Sequence, residues 1–308
     1  MRAEIRANLQ GIKHDRTRKQ YLRDGEHFIR FCREEFNVSS LSECKQYLQI
    51  YCDVLVLRGY TSSTIHTYLA GACKALGSGD RLSTIKKPLR KTSEYSRGRT
   101  TSQKSSTFST KDDERFKTLL EFQQKVGLRR AELAHLRGDD LVYDESNYLC
   151  VRVRSGKGGK YQLQRLHPKD YKFVQSVFNN KGSHELLFSS ETMNNKLNLH
   201  AVRAQRARDA YADYVYRIKT KPEYSKILEA EILARWNKYN INQHTGLAKQ
   251  FHFEELRGNY ILREANRKFA LEHNLPISYN KLAVMATIIF VLSHWRNDVT
   301  VTSYLLAI

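Results

Sequence analysis

Tyr148-Leu-Cys-Val-Arg-Val-Arg154, Ser155-Gly-Lys-Gly-Gly159 and Lys160-Tyr-Gln-Leu-Gln-Arg-Leu166 follow one another directly and decide the fold class. The outer two runs alternate apolar and polar residues, the period of a strand whose side chains leave opposite faces. The glycine-rich middle supplies turn conformations that a Cβ would oppose. Together they predict a β-hairpin. Outward from it, the patterned stretches have helical spacing: Arg115 to His135 is periodic in this way, and after Pro168 the chain reads as helical to its end. Val202, Ala207, Tyr211, Tyr214, Val215 and Ile218 mark a long basic helix there. The expectation is a mainly α fold with a small antiparallel β-sheet.

Residues 1–80 read as a separate helical bundle. Apolar residues recur at helical spacing through Tyr21–Phe36, Cys44–Leu55 and Ile65–Leu76, and Thr61 or Ser62 stands where it can cap the last of these. Residues 81–109 differ in kind. From Arg81 to Lys111 there are nine Lys or Arg and one acid, Glu94, in a background of Ser and Thr. Such composition does not build a core, and it reads as a basic linker whose Lys86, Lys87, Arg90, Lys91, Arg97 and Arg99 can neutralise phosphates. Residues 110–308 form the third segment, with a helical insertion at about 200–248.

The chain has 308 residues, 52 Lys and Arg against 32 Asp and Glu, and a formal charge of +20. That excess calls for an acidic partner, and nucleic acid leads, because each neutralised phosphate releases a counter-ion. The longest apolar run, Leu282 to Leu292, is too short to span a bilayer, and the first residues lack the apolar core of a signal peptide, so a cytoplasmic protein is expected. Cys32, Cys44, Cys52, Cys73 and Cys150 show neither zinc-ligand nor redox spacing. Asp112-Asp113 and Asp139-Asp140 could suggest a two-metal nuclease, but adjacent acids at a helix start or turn are more often caps or solvated charge. No metal or cofactor is expected.

Four strings carry the chemistry. Gly127-Leu128-Arg129-Arg130-Ala131-Glu132-Leu133 resembles the first arginine box of the tyrosine recombinases, the phage integrase family, which reads G-L-R-x-x-E-L-x-x-L. Ser155-Gly156-Lys157-Gly158-Gly159-Lys160 resembles that family's hairpin lysine, in a turn pattern G-K-G-x-K. Phe253-Glu254-Glu255-Leu256-Arg257 resembles its H-x-L-R box at the start of a helix, with Glu254 in the place usually held by His and His252 two residues earlier. Leu292-Ser293-His294-Trp295 followed by Tyr304 resembles the final box, where His or Trp precedes the tyrosine by nine residues. Trp295 has that spacing to Tyr304, and His294 stands at ten.

The resemblance implies a site-specific DNA recombinase, an integrase of a mobile genetic element in a prokaryotic, viral or plasmid context. Arg129 and Arg257 would grip the non-bridging oxygens, with Glu132 buttressing Arg129. Tyr304 would attack phosphorus to form a 3′-phosphotyrosyl link, and Lys157 would protonate the leaving 5′-oxygen. Trp295 or His294 would hold the phosphate, Glu254 or His252 the box-II position, and Lys160 and Arg130 further phosphates. The phosphotyrosine conserves the bond energy, so neither ATP nor a metal is needed. The resemblance also implies a C-shaped clamp around double-stranded DNA. It further implies a monomer or dimer when free, a homotetramer on two DNA sites, a Holliday-junction intermediate and accessory DNA-bending proteins. Leu305–Ile308 alone follow Tyr304, where many relatives continue into a further helix; either the chain lacks that helix, or it is cut short, or contacts elsewhere, such as those of the insertion, replace it. Two alternatives stand beside this reading: a telomere-resolvase-like enzyme and a DNA-binding protein of the same fold that has lost catalysis.

Overall fold

The computed structural model describes residues 1–89, 114–157, 159–239, 249–292 and 297–306. It divides into two compact units, Met1–Tyr95 and Ser96–Ile308.

The first unit is a helical bundle of α1 (Arg2–Asn8), α2 (Asp15–Phe36), α3 (Leu41–Cys44), α4 (Leu48–Leu57) and α5 (Ser62–Ala75). Thr61 caps α5, its hydroxyl accepting the Thr64 N–H at 3.3 Å. Phe28, Tyr51, Leu55, Ile65 and Leu69 are buried at its centre. α2 and α5 lie very close, because Gly25 sits on Ala75 and Gly71 on Asp24: a Cβ built on either glycine would fall 2.3–2.4 Å from the facing Cβ. Asp24 is thereby buried, with Oδ2 unpartnered and Oδ1 accepting from Gln20 at 2.8 Å. Residues expected to open the linker stay on the bundle. Ile85 is buried in its core, the Lys86 backbone N–H donates to Gln49 at 2.8 Å, and Ser62 donates to the Leu89 carbonyl at 2.9 Å.

The second unit begins with α6 (Glu114–Val126), the short α7 (Arg130–Leu133), and a three-stranded antiparallel sheet of β1 (Leu141–Tyr143), β2 (Leu149–Val153) and β3 (Gln162–Arg165). β2 and β3 are the predicted hairpin, with Val153 opposite Gln162. Then follow α8 (Tyr171–Phe178), α9 (Ser190–Met193), α10 (Leu199–Thr220) and α11 (Tyr224–Tyr239). The chain continues through β4 (Asn259–Ile261), α12 (Glu264–Glu272), β5 (Ser278–Asn280), α13 (Lys281–Thr287) and α14 (Asn297–Thr300).

Three expectations change. The helix read over Arg115–His135 breaks at Gly127, whose φ of +74° no helix continues. The chain after Pro168 is not wholly helical, since β4 and β5 pair antiparallel with Tyr260 opposite Tyr279. And the segment expected as an insertion holds α10, which packs on both α6 and α13 and buries Ala204, Ala207, Ala210 and Tyr214. Its small residues let neighbouring helices approach, which makes it a central helix of the unit. Among the described residues no helix is long and apolar enough to cross a membrane. All five cysteines are buried, and none forms a disulfide.

Candidate active site

The Gly-Leu-Arg elbow is built by a buried glutamine. Gln123 on α6 donates to the Leu128 carbonyl at 2.6 Å and to the Leu199 carbonyl at 2.9 Å, and its oxygen accepts the Leu128 N–H at 3.0 Å. One side chain thus fixes the residue before Arg129 and the residue before His200. Gly127 is required twice over: its φ is positive, and a Cβ there would lie 3.0 Å from Arg206 Cγ.

Arg129 then starts α7. Its backbone N–H donates to Glu132 Oε2 at 2.8 Å and its Nη1 to Glu132 Oε1 at 2.5 Å. Gln162 on β3 donates to the same Oε1 at 3.0 Å, so the hairpin strand and the arginine share one carboxylate. Glu132 is 5% exposed. Burial pushes its carboxyl up, but the Arg203 charge, then the Arg129 charge and its hydrogen bonds, outweigh burial and hold it below the usual carboxylate range.

Arg203 was not singled out in the sequence. It lies one turn into α10 and is 1% exposed. Its Nη1 donates to the Gly127 carbonyl at 2.5 Å and stands 3.6 Å from Glu132 Oε2; its Nη2 donates to the Leu292 carbonyl at 2.8 Å. The Tyr304 ring centroid is 5.9 Å from its Cζ. Burial lowers the Arg203 pKa, Tyr304 and Glu132 oppose that, and the group stays charged.

Tyr304 is 6% exposed. Its ring is 5.5 Å from the exposed His200 imidazole, and Arg208 on α10 donates to its carbonyl at 3.1 Å. It sits in a π turn, Val301–Leu305, closed by the Leu306 N–H on the Val301 carbonyl at 2.8 Å.

Arg129, Glu132 and Tyr304, expected to act together, are thus joined through Arg203. Arg257 is not part of this cluster. It is exposed, makes no hydrogen bond or ion pair with a described residue, and precedes Gly258 and β4 where a helix start was expected. Its neighbours Glu254 and His252 line a separate cavity of about 690 Å³ with Arg263 and Asp298. The sequence did hold the signal for the alternative. His200-Ala-Val-Arg203 has the His-two-residues-Arg spacing of the family box, and it opens a helix, as the box does.

The remaining predicted residues divide. Lys157 and Lys160 are exposed at the hairpin tip, where the Gly156 N–H donates to the Lys160 carbonyl at 2.7 Å. Arg130 does not face outward. Its Nη1 donates to the Met193 carbonyl and Asn195 Oδ1 at 3.1 and 2.9 Å, and its Nη2 to the Leu197 carbonyl at 2.6 Å, so it ties α7 to the approach of α10. Lys86 is exposed, and Lys87 Nζ donates to the Leu82 carbonyl. Arg90, Lys91, Arg97, Arg99, His294 and Trp295 lie outside the described residues, as do Asp112 and Asp113. Asp139 and Asp140 are paired with Arg152 and Arg154 at the base of the hairpin. Among the described residues no three His, Cys, Asp or Glu side chains converge as metal ligands.

No family model and no curated protein sequence matches the chain. Among solved structures it is similar to the crystal structure of XerA recombinase, with 17% identity over 69% of this chain and 84% of that one, at a TM-score of 0.28. At that score the likeness adds nothing to the geometry above.

Proposed function

We propose that this protein breaks and rejoins DNA through a covalent link to Tyr304, as a tyrosine-type site-specific recombinase. One observation carries the reading: Arg129 and Arg203, far apart in sequence, pair with one buried carboxylate, Glu132, and the Tyr304 ring lies 5.9 Å from the Arg203 guanidinium. Two guanidiniums beside a phenol are the groups that phosphodiester transesterification needs. Arginine stays charged at any working pH and binds phosphate oxygens in a fork, stabilising the charge that builds there during attack.

In this proposal Arg129 and Arg203 form the pair, and Arg203 replaces Arg257. Tyr304 Oη bonds to phosphorus and its proton passes to His200, the adjacent imidazole. The phosphorus–5′-oxygen bond breaks, and Lys157 protonates the departing 5′-oxygen from the hairpin tip. Arg203 donates to one carbonyl each from Nη1 and Nη2, and its Nε has no hydrogen-bond partner among the described residues, so donors remain for a phosphate without release of either carbonyl. Trp295 or His294 supplies the last phosphate contact.

The test is covalent trapping on nicked suicide duplexes drawn from DNA flanking the gene, without metal or ATP. The expected result is a denaturant-stable adduct that Tyr304→Phe abolishes. Arg203→Lys lowers its formation by at least about 10²-fold, the scale of a lost charge-stabilising donor, while Arg257→Lys stays within a few-fold. An adduct formed by Tyr304→Phe defeats the proposal. Equal loss in both arginine variants defeats the assignment of Arg203. Exchanged duplexes rather than closed hairpin ends distinguish a recombinase from a telomere-resolvase-like enzyme.

A further inference from the structure

One turn beyond Arg203 on α10, Arg206 is 8% exposed, its Nε is buried without a hydrogen-bond partner, and no described residue forms an ion pair with it. It lines a small cavity of about 30 Å³ together with Arg165, Arg217, His167 and Asp213. The charges there do not balance. Arg165 is neutralised by Asp144 and Glu231, both outside the cavity wall, and Asp213 is engaged by the Arg217 terminal nitrogen. Arg206 is the cation left over. A guanidinium does not shed its proton, so a buried one needs a counter-ion.

The remaining wall offers donors. The Arg217 Nε is also buried and unpartnered. His167 Nδ1 accepts the Lys169 N–H at 3.2 Å, which puts the proton of the neutral ring on Nε2, and burial keeps that ring neutral near pH 7. Tyr148, Tyr214 and Tyr224 also line the cavity, beside Leu166, Pro168, Ala210 and Val291. The one carboxylate, Asp213, has Oδ1 4.0 Å from His167 Nε2, too far for a direct hydrogen bond. The volume corresponds to about two water molecules, which excludes a nucleotide or a DNA phosphate carrying its two esters.

We propose that this cavity is a binding site for a small inorganic anion, chloride by its size, held between Arg206 and Arg217. The occupant neutralises α10 one turn from Arg203 and bridges two arginines of that helix. The site stands whether or not the protein recombines DNA.

The test measures thermal melting of the full chain at constant ionic strength while gluconate is replaced by chloride or bromide. Wild type is compared with Arg206→Met and with Arg267→Met, an exposed control on α12. Above the dissociation constant, each tenfold rise in halide raises the wild-type and control Tm by roughly 3–6 °C, and leaves Arg206→Met unmoved. Because Arg206→Met can itself disturb packing, bromide-soaked wild-type crystals provide a second measurement, with an anomalous peak within hydrogen-bond distance of Arg206 and Arg217. The same halide response in all three proteins, or no bromide peak, overturns the proposal. Stabilisation by phosphate where halides fail overturns the size assignment.

Discussion

Replacing Glu132 by glutamine removes the carboxylate that lies between two guanidiniums while keeping the side chain's shape. The Glu132–Arg203 separation is 3.6 Å, and both groups are almost fully buried. Unit charges at that distance attract by about 5 kcal/mol at an effective dielectric of about 20. The Arg129 contact is shorter, but the Arg129 side chain is 27% exposed, so its share is discounted. Breaking a buried pair by removing one partner costs about 3–5 kcal/mol, because the other charge is left behind. For a unit of this size that is a Tm loss of roughly 6–20 °C. The assay is tryptophan fluorescence during thermal and urea unfolding, which follows this unit because Trp236 and Trp295 both lie in it. The pH dependence gives a second reading. Burial raises the Glu132 carboxyl, but Arg203 and Arg129 hold it below its ordinary value, so its stabilisation is complete above the unfolded value of about 4.3. It is lost as pH falls through the lower, folded value. The gap between wild type and Glu132→Gln is therefore full at pH 7 and closes on acidification below about 4.3. A loss under about 1 kcal/mol at pH 7, or a gap that widens in acid, refutes Glu132 as the counter-ion of Arg203.

Three further outcomes follow from the geometry. Gln162→Ala cuts the bond from β3 to Glu132 and lowers covalent adduct formation about 10-fold, with Glu132 itself still paired; unchanged trapping kinetics would show that the hairpin strand does not position Arg129. Gly127→Ala forces a Cβ into positive φ and against Arg206, and urea unfolding shows a loss of about 1–3 kcal/mol, against under 0.5 kcal/mol for the open Gly11→Ala. Asp24→Asn stabilises the first unit at pH 8 by up to about 3 kcal/mol and much less near pH 4. Burial raises Asp24 to about 6, so it opposes folding once pH rises through that value; tyrosine fluorescence of residues 1–95 that is insensitive to pH in this range would contradict it.

Much of the local structure was legible because it depends on neighbours in sequence. Alternation around Gly156–Gly159 set the hairpin, and helical spacing together with a capping Thr61 set the bundle helices. The break at Gly127 was not read, since a single glycine in a periodic stretch shows its positive φ only when packing against Arg206 leaves no room for a side chain. β4 and β5 were missed for a related reason: three-residue strands gain their pairing from a partner 17 or more positions away, beyond any local pattern.

At the site, the sequence alone determined the arginine that opens the elbow, the acid three residues on and the nearness of a tyrosine to the chain end. Each is a short motif whose spacing follows from one turn of backbone. The proposal of Arg203 as the second arginine rests on tertiary structure alone. Arg257 and Arg203 each stand in a plausible string, and their charges are identical in isolation. They differ in surroundings: Arg257 meets solvent before an edge strand, whereas Arg203 is enclosed by the Gly127 carbonyl, the Leu292 carbonyl, Glu132 and Tyr304. Those partners come from three separate segments. Only the packing of α10 against α6 and the C-terminal turn brings them to one guanidinium, and the cost of burying a charge unpaired makes that convergence specific.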